Sequence, residues 1–235
     1  MKNIENYPTY VINLKRRPER LKCAVAEMSY MNWKYRVFEA IDTNSYTGCL
    51  LSHKEIARKL LESNDEYIVT FEDDLFFMPY VKEFLPALNK QLNDMSCNII
   101  NLGPAFHRPV SKVEDKLINL SELPLKNLDI HRGIYGTVGL IYNRFVAKKI
   151  IDYYEDPDPN HAQVPIDVFL DEFIYPLGKA YSPITPLITQ RPIYSDINFT
   201  NDNNHYVITY NWNLYSPHKL PGSLLDFEHC KNLRK

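Results

Sequence analysis

Long apolar runs are missing from this chain of 235 residues. No segment approaches the roughly 20 apolar residues that cross a bilayer, and Met1 to Asn6 lacks the apolar stretch of a signal peptide. A surplus of basic charge is missing too. There are 27 Lys and Arg against 29 Asp and Glu, a formal net charge of -2, which counts against nucleic acid as the main ligand. Cys23, Cys49, Cys97 and Cys230 are widely separated, with no CxxC pair and no disulfide-dense pattern. They read as reduced thiols of a cytoplasmic protein, so the sequons at Asn119 and Asn198 are expected to stay unmodified. Glycine is scarce, with 7 in the whole chain, and there is no internal repeat.

The remainder is the composition of an ordinary globular protein, 45% hydrophobic and 24% charged. A chain of this length buries one substantial core, so residues 1–235 are expected to form a single domain, with 198–235 a loop-rich extension. The 17 Tyr and 11 Phe serve first to fill that core, and aromatic faces also suit the stacking of sugars.

Strand and helix patterns alternate along the chain. Thr9 to Leu14 and Tyr35 to Ala40 read as strands, with a helix carrying Leu21, Val25 and Met28 between them. Ser52 is placed to cap a helix reaching Ser63, with Glu55 completing a capping box. Ile68 to Phe71 reads as a strand, Pro79 to Leu92 as a helix, and Asn98 to Gly103 as a short buried strand. After an irregular stretch over 104–132, Tyr135 to Tyr142 reads as a strand and Arg144 to Tyr154 as an amphipathic helix. Asp156 to Asn160 breaks the pattern, a helix follows over 165–175, and Leu187 to Gln190 reads as a last strand. Such alternation predicts an α/β fold, a mixed central sheet flanked by helices, with ligands at the carboxyl ends of strands.

Three consecutive acids, Glu72, Asp73 and Asp74, stand at such an end. Like charges this close raise one another's pKa, so a cation is their natural partner, against the alternative of a solvated acidic turn. Strand alternation would turn Glu72 and Asp74 one way and Asp73 the other. Oxygen ligands suit manganese or magnesium. After the first strand, Arg16, Arg17 and Arg20 offer guanidiniums suited to phosphate, or simply a solvated helix start. Gly48 to His53 sets Ser52 and His53 at a predicted helix N-terminus, a place for polar or anionic ligands or for ordinary capping.

Several of these segments, taken in order, resemble glycosyltransferase family 25. They are Tyr10 to Arg20 (YVINLKRRPER), Phe38 to Asp42 (FEAID), Gly48 to His53 (GCLLSH) and Phe71 to Phe77 (FEDDLFF). Gly136 to Tyr142, Pro165 to Leu170 and Ser195 to Ile197 continue the series, so that the resemblance covers roughly residues 8–197. In one respect the chain departs from the family, which generally carries a longer stretch where only five residues separate Asp42 from Gly48.

The resemblance implies a nucleotide-sugar-binding fold of the GT-A type, a UDP-hexose donor (galactose or glucose) and a divalent metal, usually manganese. It implies a hydroxyl acceptor on a glycan, such as lipooligosaccharide or a capsular glycan, or on a collagen-like protein. On that reading Asp74 holds the metal with Glu72, and Asp73 orients from behind. Asn13, Arg16 and Arg20 lie near the nucleotide, with Asp42, Ser52 and His53 on the same rim. Gln190, Ser195 and Asp196 line the donor site. An inverting transfer needs a base on the opposite face. Asp167 aligns with the family's Pro-Val-Asp-type motif, its alternative role being a first-turn acid on a helix dipole, and Asp171 or Glu172 would replace it one turn on. His205, His218, Trp212 and Tyr215 are further candidates in the tail. A metal-dependent nucleotidyltransferase or phosphohydrolase, or a non-catalytic nucleotide-sugar-binding module, are the competing classes.

Overall fold

The computed structural model describes residues 3–43, 45–78, 80–106, 117–122, 133–158, 160–183 and 186–191. In chain order the elements are β1 (Thr9–Asn13), α1 (Pro18–Tyr30), β2 (Arg36–Glu39), α2 (Tyr46–Glu62), β3 (Tyr67–Glu72) and β4 (Leu75–Phe77). There follow α3 (Val81–Asp94), β5 (Ile99–Asn101), β6 (Ala105–Phe106), β7 (Leu117–Asn119), β8 (Ile134–Tyr135), β9 (Gly139–Asn143) and α4 (Arg144–Tyr154). The last are α5 (Ile166–Phe169), β10 (Ala180–Pro183) and β11 (Ile188–Gln190).

Seven strands form one mixed sheet in the order β2-β1-β3-β9-β5-β10-β7, and β11 pairs with β4 beside it. The pairs β1–β2, β1–β3 and β10–β5 are parallel, whereas β9 runs antiparallel to both of its neighbours. Side chains alternate cleanly between two cores. Ile12, Ile68, Leu140, Tyr142 and Ile99 pack on one face with residues of α2, α4 and α5. Val11, Val69, Phe71, Ile141 and Ile100 pack on the other with α1, α3 and Trp33. A strand buried on both faces is continuously apolar, and β3 is buried from Tyr67 to Phe71. The predicted mixed sheet flanked by helices is therefore present.

Several local expectations change. Helix α2 begins at Tyr46 with Ser45 as its cap, the Ser45 hydroxyl accepting from Thr47 N. Ser52 lies inside the helix, where its hydroxyl donates to the Gly48 carbonyl and accepts from Ile41 N. No capping box forms, and Glu55 pairs with Arg58 instead. The helix expected over 165–175 is three pieces: α5, a wider π turn over Leu170–Ile174, and a 3-10 turn over Tyr175–Leu177. Gly178, at φ +83°, ends it.

The short 42–48 connection has a steric consequence. A Cβ on Gly48 would stand 2.3 Å from the Ile41 carbonyl oxygen, which is backbone and does not swing aside. Gly48→Ala is expected to destabilise the fold by about 1–3 kcal/mol, the usual cost of overpacking, read as a lower denaturant midpoint. An unchanged midpoint would mean that the 41–43 segment moves freely.

Candidate active site at the end of strand β3

Strand β1 ends at Asn13, β3 at Glu72, and the antiparallel β9 brings its beginning to the same edge of the sheet. Phe71 pairs with Gly139, which sets Val138 and Thr137 beside Glu72. The chain turns immediately after Glu72, so strand alternation stops there. Asp73 and Asp74 both meet Arg20, whose Nη2 lies 2.5 Å from Asp73 Oδ1 and 3.1 Å from Asp74 Oδ2. The expected opposition of Asp73 to Asp74 is thus replaced by a shared guanidinium. Asn13 Nδ2 donates to Asp73 Oδ2 at 2.6 Å and to the Arg17 carbonyl at 3.1 Å.

Glu72 faces the other way, toward α2. Its Oε1 accepts from the Thr137 hydroxyl and from Cys49 Sγ, the latter at 3.7 Å, and His53 Nε2 stands 3.5 Å from it. Asp167, in the first turn of α5, is partly exposed. Its Oδ2 accepts from Gly136 N at 3.5 Å and its Oδ1 from Val168 N at 2.9 Å. The dipeptide Gly136–Thr137 therefore links Asp167 to Glu72.

Burial dominates the electrostatics. It pushes Asp74 up to about 8, with Arg20 opposing and the charges of Glu72 and Asp73 adding to it. Burial likewise raises Asp73, against the opposing pull of Arg20 and the hydrogen bond from Asn13. Asp167 is raised by burial, with hydrogen bonds from the Gly136 and Val168 backbones opposing. For Glu72 burial is outweighed by His53, the Thr137 hydroxyl and Arg20, which hold it below the ordinary carboxylate range. The Cys49 thiol is raised, by burial first and then by Glu72 and Asp167. A cluster this starved of positive charge fits a dication. Among the described residues Asp74 Oδ1 is buried without a hydrogen-bond partner, an atom that such an ion could take.

The other residues read from the sequence divide. Arg16 and Asp42 meet on the rim, Nε to Oδ2 at 2.6 Å. Arg20, expected at the nucleotide, is turned onto the acids. Ser52 and His53 are both fully buried within α2, so neither stands at a helix N-terminus or offers surface to a nucleotide. Asp171 is also fully buried and accepts from Gly133 N at 3.1 Å, which removes it as an alternative base. Glu172, beside it, keeps partial exposure. Gln190 lies on β11, paired with Leu75 just past the acids. Ser195, Asp196, His205, Trp212, Tyr215 and His218 lie outside the described residues.

Sequence reading gave no role to four residues that shape this site. Cys49 and Thr137 lay inside quoted motifs, but only tertiary contact turns them toward Glu72. Arg191 donates its backbone N to the Asp74 carbonyl at 2.7 Å and its Nε to the Leu75 carbonyl at 3.0 Å. Its Nη2 forms a buried ion pair with Glu27, whose other oxygen accepts from Phe77 N. This pair holds the turn after the acids from behind.

The profile of glycosyltransferase family 25 (LPS biosynthesis protein) matches residues 43–170, and the chain belongs to that family. It is 31% identical over 139 residues to the lipooligosaccharide biosynthesis protein lex-1 of Haemophilus influenzae, covering 57% of this chain and 43% of that protein. It is 29% identical over 130 residues to procollagen galactosyltransferase 1-A of Xenopus laevis, covering 54% of this chain and 20% of that one. The chain thus spans less than half the length of these relatives. Among solved structures, a glycosyltransferase involved in the glycosylation of the major capsid of PBCV-1 aligns with a TM-score of 0.45 and 12% identity, over 81% of this chain and 95% of that chain. So distant a likeness adds nothing to the family assignment.

The raised Asp74 has a measurable signature. Its folded-state pKa of about 8 exceeds the ordinary 3.8, so between those values the folded chain holds a proton that the unfolded chain has lost. Metal-free stability should then fall as pH rises across that window. In Asp74→Asn this loss should vanish, so that in EDTA the variant gains on the parent by several degrees of melting temperature between about pH 5 and about pH 8.5. For a chain of this size about 1 kcal/mol corresponds to about 2–4 °C. Parallel melting curves at both pH values would contradict the assignment.

Proposed function

We propose that this chain is a metal-dependent glycosyltransferase with a nucleotide-sugar-binding fold of the GT-A type, moving a hexose from a UDP-sugar to a hydroxyl acceptor with inversion. The observation that carries the reading is the convergence of Glu72, Asp74 and Asp167 at one end of the sheet, with Gly136–Thr137 linking Asp167 to Glu72 and Arg20 holding Asp74. Family membership favours glycosyl transfer over nucleotidyl transfer or phosphate hydrolysis.

Asp74 would hold manganese or magnesium through Oδ1, with Glu72 sharing the ion directly or through water. Such an ion, when bound, neutralises charge developing on the departing diphosphate. Asp73 and Arg20 fix the position of Asp74. Arg16, paired with Asp42 at the exposed rim, offers a guanidinium to the nucleotide. Gln190 lies within the same region of the fold, and Ser195 and Asp196 belong to the same donor proposal. Asp167 takes the acceptor proton. Its partial exposure gives access, and its raised pKa strengthens it as a base. The names of the relatives favour a glycan of the lipooligosaccharide kind or a collagen-like protein as acceptor, and UDP-galactose as the first donor to try.

Incubation of the full chain with a panel of UDP-sugars, manganese and these acceptors, with UDP release as the readout, tests the reading. Asp74→Ala should abolish transfer while the fold persists, and EDTA should do the same to the parent. Asp167→Asn should lower turnover by roughly 10²–10⁴-fold, the range for loss of a general base, with little change in UDP-sugar affinity. Activity that survives EDTA sinks the metal. Near-normal turnover in Asp167→Asn, or a product that retains the donor's anomeric configuration, sinks the inverting base.

A further inference from the structure

Cys49 and His53 lie four residues apart on α2 and share a face turned to Glu72. One ligand atom each from Cys49, His53 and Glu72 all lie within 4.8 Å of one another. Sγ is 3.7 Å and Nε2 is 3.5 Å from Oε1. Tetrahedral bonds of about 2.3 Å to sulfur, about 2.0 Å to nitrogen and about 2.1 Å to oxygen place such atoms about 3.4–3.6 Å apart. The two distances to Glu72 Oε1 already match that spacing, and the ligand atoms of Cys49 and His53 lie within 4.8 Å of each other.

A second observation points the same way. His53 is fully buried, and among the described residues its Nδ1 has no hydrogen-bond partner while its Nε2 has only the 3.5 Å approach to Glu72 Oε1. An imidazole left so is costly, and native interiors rarely tolerate it without a ligand.

We propose that Cys49 Sγ, His53 Nε2 and Glu72 Oε1 form a binding site for a thiophilic divalent cation of the zinc class. Sulfur and imidazole select zinc over manganese or magnesium, which prefer oxygen. The carboxylates that surround the Cys49 thiol also favour a dication. On binding, the thiol that now donates to Glu72 releases its proton to solvent, and sulfur takes up the metal bond. The Glu72 side chain keeps 19% exposure, which gives the ion a way in and leaves the fourth position to water. Because Glu72 is also offered to manganese, zinc would compete for it and inhibit transfer. That consequence alone rests on the transferase reading; the binding does not.

Titration of the metal-free full chain with Co2+, followed by absorbance, tests the site. One equivalent should bring up the near-ultraviolet thiolate-to-cobalt band and the intense visible bands of a four-coordinate ion, and Zn2+ should abolish both. Cys49→Ser should lose the thiolate band and weaken Zn2+ binding by more than the about 10–100-fold that loss of an outer-shell partner costs. Cys23→Ser should keep both. No thiolate band in the parent, or an undiminished band in Cys49→Ser, overturns the proposal. Zinc-edge X-ray absorption of the parent reads the ligands without any substitution, and an all-oxygen shell would also overturn it. An inactive protein that keeps the cobalt spectrum sinks the transferase and leaves the zinc site standing.

Discussion

The guanidinium of Arg20 between Asp73 and Asp74 is the contact on which the site depends. It ties the first turn of α1 to the turn after β3, while Asn13 at the end of β1 holds both Asp73 and the Arg17 carbonyl. Two neighbouring parallel strands are thereby locked at their carboxyl ends, where α/β sheets carry their ligands. The pairing is incomplete by design of the charges. Arg20 is shared between two carboxylates, and Asp74 remains far above its ordinary range despite it. A buried carboxyl that is only half compensated keeps its proton until a further positive charge offsets it.

The mixed sheet does the rest. Were β9 parallel to β3, the stretch before it would leave at the opposite edge. Running antiparallel, it delivers Gly136 and Thr137 to the acids, and their donors reach Asp167 and Glu72. A reversal of one strand thus joins a residue from the first half of the chain to one from the second. Arg191 and Glu27 support the same turn from the opposite core, so the acids are clamped on both sides of the sheet.

Much of this was legible. Runs of β-branched and aromatic residues marked β1, β2, β3 and β9, and Arg144–Tyr154 is a helix with the predicted ends. Acids and arginines following apolar runs marked the site, because polar side chains at the end of a buried strand have little other reason to cluster. What stayed hidden depends on geometry beyond local pattern. Strand β4 is three residues long and follows the acids directly, while β10 contains Ser182 and Pro183, residues that carry little strand signal. The π turn over Leu170–Ile174 breaks the 3.6 period that would set Asp171 one turn beyond Asp167 on the same face. Glu27 sat on a helix amid apolar residues, and no spacing rule pairs it with a residue 164 positions away.

The cap of α2 decides what kind of ligand its first turns can meet. Had Ser52 been the cap, His53 would stand at a helix N-terminus, where free N–H groups and the dipole favour anions. Ser45 takes that role instead, so the helix starts seven residues earlier and carries Cys49 to His53 into its interior. Their backbone N–H groups are then committed to the helix, and only side chains remain to be offered. The Cys49 and His53 side chains meet Glu72, setting a sulfur and an imidazole beside a carboxylate, a donor set suited to a cation. The short 42–48 connection, with Gly48 pressed against Ile41, holds α2 against the rim. One displaced cap thereby turns a segment that reads as an anion site into a cation-facing wall of the acid cluster.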